Sequence, residues 1–90
     1  LNLSHNNIGI EGAVEIANML STNNSLHTLV LRYNNIGTGA IEIAKMLSTN
    51  NSLHTLDLRD NKILSEKAIE IPNLLESNYT LRSVRLGIID

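Results

Sequence analysis

Along this chain the spacing of apolar residues switches between two periods, and the switch recurs every 27 or 28 positions. Leu29 and Leu31 alternate with Thr28, Val30 and Arg32, the two-residue period of a strand with one buried face. A polar turn follows, and the spacing then becomes i, i+3, i+4, i+7: Ala13, Ile16, Ala17 and Leu20 in one unit, Ala40, Ile43, Ala44 and Leu47 in the next. That spacing lines one face of a short helix of roughly three turns. Each unit is thus predicted as strand, turn, helix and polar return loop.

The units superpose when each starts at a Leu-x-x-Leu-x-Leu frame. One runs Leu26-His-Thr-Leu29-Val-Leu31-Arg-Tyr-Asn34-Asn-Ile36-Gly37, and the next Leu53-His-Thr-Leu56-Asp-Leu58-Arg-Asp-Asn61-Lys-Ile63. A further frame opens at Leu81 with Val84 and Leu86, and the chain begins partway through one at Leu1-Asn-Leu3-Ser-His-Asn6-Asn-Ile8-Gly9. The string LSTNNSLHTL occurs intact at Leu20–Leu29 and again at Leu47–Leu56, covering the end of a helix, the loop and the next strand. These frames divide the 90 residues into one array: a partial repeat 1–25, repeats 26–52 and 53–80, and a partial repeat 81–90. Starting inside a repeat marks the chain as an expected piece of a longer protein.

Neither a strand nor a helix of this kind can bury its apolar side alone, so the units must stack, strand beside strand and helix beside helix. Helices joined to short strands on one side give a parallel sheet. Helices need about 10 Å of lateral room and strands about 4.8 Å, so such a stack curves with its strands inside.

The pattern LxxLxLxxNxI at this period resembles the leucine-rich repeat, and its continuation Asn-x-Ile-Gly-x-x-Gly-Ala resembles the ribonuclease-inhibitor-like subclass. The resemblance implies an α/β leucine-rich-repeat solenoid, a segment of a right-handed horseshoe with parallel strands concave and helices convex. It also implies a non-catalytic scaffold or recognition module that binds another protein on its concave face. The same subclass occurs in GTPase-activating proteins and in the sensor region of intracellular nucleotide-binding receptors, which are the alternative roles. Two positions depart from the pattern. Pro72 stands where Ala17 and Ala44 do and removes a helical hydrogen bond, so a kink is expected near Ile71. Ile89 ends the column Asn6, Asn34, Asn61, whose side chains are suited to satisfying backbone groups in the turn after the strand.

Composition changes this picture little. The chain is 42% hydrophobic, but its only aromatic residues are Tyr33 and Tyr79, so the core must be aliphatic. A net charge of -2 argues against nucleic acid, and no apolar run is long enough to span a membrane. There is no cysteine, and a cytoplasmic setting is the expectation.

Candidate contacts lie on the outward strand positions, which form columns across the coils: Thr28, Thr55 and Ser83; Asn2, Val30, Asp57 and Arg85; Ser4, Arg32, Arg59 and Gly87; and, just past the strand, His5, Tyr33, Asp60 and Ile88. Thr28, Val30, Arg32, Tyr33, Thr55, Asp57, Arg59, Asp60 and Arg85 are the expected partner-binding set, with Tyr and Arg the types that commonly anchor interfaces. The bland alternative pairs Asp57 with Arg85 and Arg59 with Asp60 as ordinary surface ions. His27 and His54 recur by duplication, and two ligands do not make a zinc site, so no metal is expected. No nucleophile elbow, paired-carboxylate spacing or phosphate loop appears, so neither catalysis, a cofactor nor a small-molecule substrate is expected. Of four Asn-x-Ser/Thr sequons, those at Asn23, Asn50 and Asn78 fall in the loop after a helix, where asparagine is expected as a left-handed helix terminator. The fourth is at Asn2.

Overall fold

The structure is a computed structural model that describes Leu1–Asp90. Its elements follow in the order α1 (Gly9–Leu20), β1 (Thr28–Val30), α2 (Gly39–Leu47), β2 (Thr55–Asp57), α3 (Ser65–Ala68), α4 (Ile71–Leu75) and β3 (Ser83–Arg85). The strands form a parallel sheet in the order β1-β2-β3, and Asn2 extends it by one bridge to Val30. Helices lie between successive strands in the chain and pack on one side of the sheet.

The two apolar periods meet in a single core. Leu29, Leu31, Leu56 and Leu58 point inward from the strands, and Ala13, Ala17, Leu20, Ala40, Ile43, Ala44 and Leu47 point inward from the helices. All are at most 3% exposed. The small residues matter as much as the large ones. A Cβ at Gly39 would lie 2.6 Å from the Ala13 Cβ, so the first turn of α2 can approach α1 only without a side chain.

Two asparagine ladders lock coil to coil. On the strand side, Asn34 Oδ1 accepts the backbone N–H of Asn6 at 2.7 Å and of Ile8 at 3.3 Å in the preceding coil, while Nδ2 donates to the carbonyls of Leu3 and Leu31. Asn61 repeats the arrangement on Asn34, Ile36, Leu31 and Leu58. At the opposite end of each coil, Asn50 Oδ1 accepts from Ser52 and Leu53, and its Nδ2 reaches back to the carbonyls of Leu20 and Asn23. Asn78 does the same on Thr80, Leu81, Leu47 and Asn50. The expectation of a left-handed backbone at Asn23, Asn50 and Asn78 is therefore corrected, because none of the three has positive φ. Their value is the side-chain amide, which can serve two coils at once.

The repeat loosens at both predicted departures. In place of one helix the third unit has α3 and α4, of four and five residues, separated at Ile69–Glu70. The expected kink is a complete break, one or two residues upstream of Ile71. Pro72 falls in the first turn of α4, where a missing N–H costs nothing. At the last coil Ile89 keeps the backbone role of the asparagine column: its carbonyl accepts Ser65 N–H at 2.8 Å, as Asn61 accepts Gly37 N–H at 2.8 Å. Its side chain cannot supply the amide contacts. The left-handed residue also moves one position toward the N-terminus, from the Tyr33 and Asp60 position to Gly87, since a β-branched Ile88 resists positive φ. A Cβ on Gly87 would lie 3.0 Å from the Arg59 Cα, so glycine also lets the last coil seat closely.

Candidate protein-binding surface

The open face of the sheet, opposite the helices, carries the predicted columns in register. Thr28, Thr55 and Ser83 are paired across the strands, as are Val30, Asp57 and Arg85, with Asn2 beside Val30. Side chains two apart on a strand share a face, so the Arg32 and Arg59 column runs alongside.

Past β1 the chain turns through left-handed backbone at His5, Tyr33 and Asp60, with φ of 61°, 56° and 63°. This conformation lies outside the usual range for a non-glycine residue and costs about 1 kcal/mol. In return it presents these side chains as a row. The rings of His5 and Tyr33 stack with centroids 4.4 Å apart and planes 14° from parallel. Arg32 lies beside Tyr33, its guanidinium carbon 5.2 Å from the ring centroid, and its NH2 bonds Asp60 Oδ2 at 2.7 Å. Two rings, one guanidinium and one carboxylate thus link three coils.

A second group is centred on β2. Arg59 folds onto Asp57 with Nε–Oδ1 at 2.9 Å and NH2–Oδ2 at 2.7 Å, and the Arg59 backbone N–H also donates to Asp57 Oδ1. The side-chain bond from Arg59 holds the Asp57 carboxyl below its ordinary range, against the opposing effect of burial, and the same bond raises the Arg59 guanidinium above its own. The pairing Asp57–Arg85 and Arg59–Asp60 is therefore corrected to Asp57–Arg59 and Arg32–Asp60. Two positions along one strand face let Arg59 meet the carboxylate with both fork nitrogens, and Asp60 has already turned toward the neighbouring coil.

These contacts sort the predicted set. Thr28, Tyr33, Asp60 and Arg85 are exposed, while Val30, Arg32, Thr55 and Arg59 are half-buried. Asp57 is 7% exposed and spends its oxygens on Arg59, so it positions that arginine and offers little surface of its own. His5, which stacks on the predicted Tyr33, is absent from the predicted set. Its signal was the 28-residue spacing of two ring-bearing residues in one column. His27 and His54 stack likewise, with ring centroids 4.9 Å apart, and no group of three or more His, Cys, Asp or Glu gathers anywhere to hold a metal ion. A shallow pocket lies off this face, at the start of α1 between Asn7–Glu11 and Asn35.

The sequence model of the Leucine Rich repeat family matches residues 1–17, 22–44 and 49–66, more than half of the chain. With its parallel strands in an open sheet and aliphatic core, the chain belongs to the leucine-rich repeat family. Repeats of this family generally mediate protein–protein interaction and are typically non-catalytic. Comparison with curated proteins finds no significant match. The last matched segment ends inside α3, short of the break at Ile69–Glu70 and of the coil that has lost its asparagine.

Proposed function

We propose that this array is a non-catalytic recognition module that binds another protein on the open face of its sheet. The observation that carries the reading is the linked row of His5, Tyr33, Arg32 and Asp60. These side chains are held in place by one another yet contribute nothing to the aliphatic core. Groups already ordered before contact lose little freedom on binding, which favours affinity at a given area. Repeats of 27 and 28 residues with a 12-residue α1 and a 9-residue α2 support the ribonuclease-inhibitor-like subclass. A cytoplasmic setting is supported by the sequon asparagines, since Asn50 and Asn78 each commit Nδ2, the atom a glycan would occupy, to two carbonyls.

The test is affinity capture compared between the wild-type chain and a variant with Arg32, Tyr33 and Arg59 all changed to Ala. Capture of the specific partner is expected to fall at least ~10-fold, with far-ultraviolet circular dichroism unchanged. If binding instead survives this variant and is abolished by Glu42→Ala with Lys45→Ala on α2, the partner sits on the helices and the reading is wrong.

A further inference from the structure

Charge is divided between the two layers of this fold. All four arginines (Arg32, Arg59, Arg82 and Arg85) lie in or beside the strands, whereas all six glutamates lie on the helices or at their ends. Apart from Asp90, which follows the Ile89 bridge to Leu64, the strand side carries two carboxylates, Asp57 and Asp60, and both are already paired with an arginine. Arg85 in β3 and Arg82 just before it are exposed and form no ion pair. The helix layer has only Lys45 and Lys67 against its six glutamates. A chain of net charge -2 therefore presents a positive strand face, with its uncompensated cations gathered on the last coil.

We infer that this face takes an acidic polypeptide segment, lying across the strands with one carboxylate on Arg85, a second reaching Arg82 just before β3, and an apolar or aromatic side chain against the His5–Tyr33 stack. Planar guanidinium groups match carboxylates in a two-point fork, and Arg59 already shows that geometry with Asp57. Arg85 lies two strands from Val30 in one column and Tyr33 three residues past Val30, so with strands about 4.8 Å apart and about 3.3 Å per residue the two sites are about 14 Å apart, a span of roughly four extended residues. Arg32 and Arg59 hold the middle of that path and can exchange their internal carboxylates for incoming ones. A nucleic acid is disfavoured because the helix layer repels the phosphates beyond so short a positive strip.

The inference rests on the protein-binding role proposed above, and the two fail separately. The probe is a fluorescein-labelled twelve-residue peptide of Glu, Asp and Gly with one central Tyr, measured by anisotropy. A Lys-substituted peptide and a single-stranded oligonucleotide of equal length serve as comparisons. The acidic peptide is expected to bind at least ~10-fold tighter than the basic one, and to weaken several-fold between 50 and 300 mM salt. Arg82→Gln with Arg85→Gln should weaken it at least ~5-fold, whereas Glu66→Gln with Glu70→Gln on the helix side should not. Circular dichroism checks that each variant is folded, and Arg85→Glu alone provides a second variant at a single exposed position. Equal binding of the two peptides, preference for the oligonucleotide, or no effect of the arginine changes would overturn the inference. A partner captured through Arg32, Tyr33 and Arg59 but presenting a basic surface would leave the recognition role standing and remove only its acidic ligand.

Discussion

A single side chain in this fold often serves two coils, and at that scale chemistry matters more than size. Asn34 and Asn61 are fully buried yet polar, which is stable because each amide meets donors and acceptors from its own coil and from its neighbour. That role could be read from the recurrence of Asn in the turn. The ladder at Asn50 and Asn78 could not, because the same LSTNNSLHTL string also suits a helix terminator or a glycan acceptor. Asp57 is the other residue whose role needed coordinates. Sequence places it on a surface column, and the structure makes it the support of Arg59. Asp57→Asn is expected to cost about 1–2 kcal/mol at pH 7, with half-exposure of Arg59 limiting the loss. Because the folded carboxyl titrates below its ordinary value, the stabilisation is complete above the unfolded-state pKa. It is lost as pH falls through the lower, folded-state value. Denaturation profiles of the two proteins should thus converge as pH falls through that lower value, and a gap independent of pH would show that charge on Asp57 is not its source.

At the scale of elements, the periodicity was legible wherever the repeat is regular. The alternating leucines gave β1 and β2, and the i, i+3, i+4 spacing gave the buried faces of α1 and α2. It failed in degree at the third helix, where Ala68, Ile71 and Leu75 keep the inward spacing and yet the backbone divides. Apolar spacing reports which side chains seek the core, and it is blind to a lost N–H. Ile69 is left 72% exposed at the break. Pro72 itself is exposed, so Pro72→Ala removes no core contact and restores a donor to the Ala68 carbonyl. The variant should join α3 to α4, deepen the ellipticity at 222 nm and stabilise the chain by about 1 kcal/mol in urea. Unchanged ellipticity would place the cause of the break in the Ile69–Glu70 turn instead.

For the whole molecule, stability is a sum over neighbouring coils, and the quality of those junctions falls along the array. The junction between α1 and α2 has a full helix on each side and both asparagine ladders. The junction at the last coil has a strand with half-buried Val84 and Leu86, a broken helix before it and Ile89 in the asparagine column. Both ends also leave large aliphatic side chains in solvent, with Leu1 and Ile10 at 56% and 52% and Ile69 and Ile89 at 72% and 47%. Quasi-one-dimensional folds with about three repeats and unshielded ends sit near the minimum for independent stability. The 90-residue chain is therefore expected to melt broadly and well below ~70 °C, with amide exchange slowest at Leu29–Leu31 and Ala40–Leu47 and fastest beyond Ala68. A sharp, reversible transition above ~70 °C with uniform protection would mean that the last coil is as firmly seated as the first. The positive patch at Arg82 and Arg85 belongs to that weakest coil. Binding there should consequently slow exchange across β3, coupling recognition to the ordering of the end of the array.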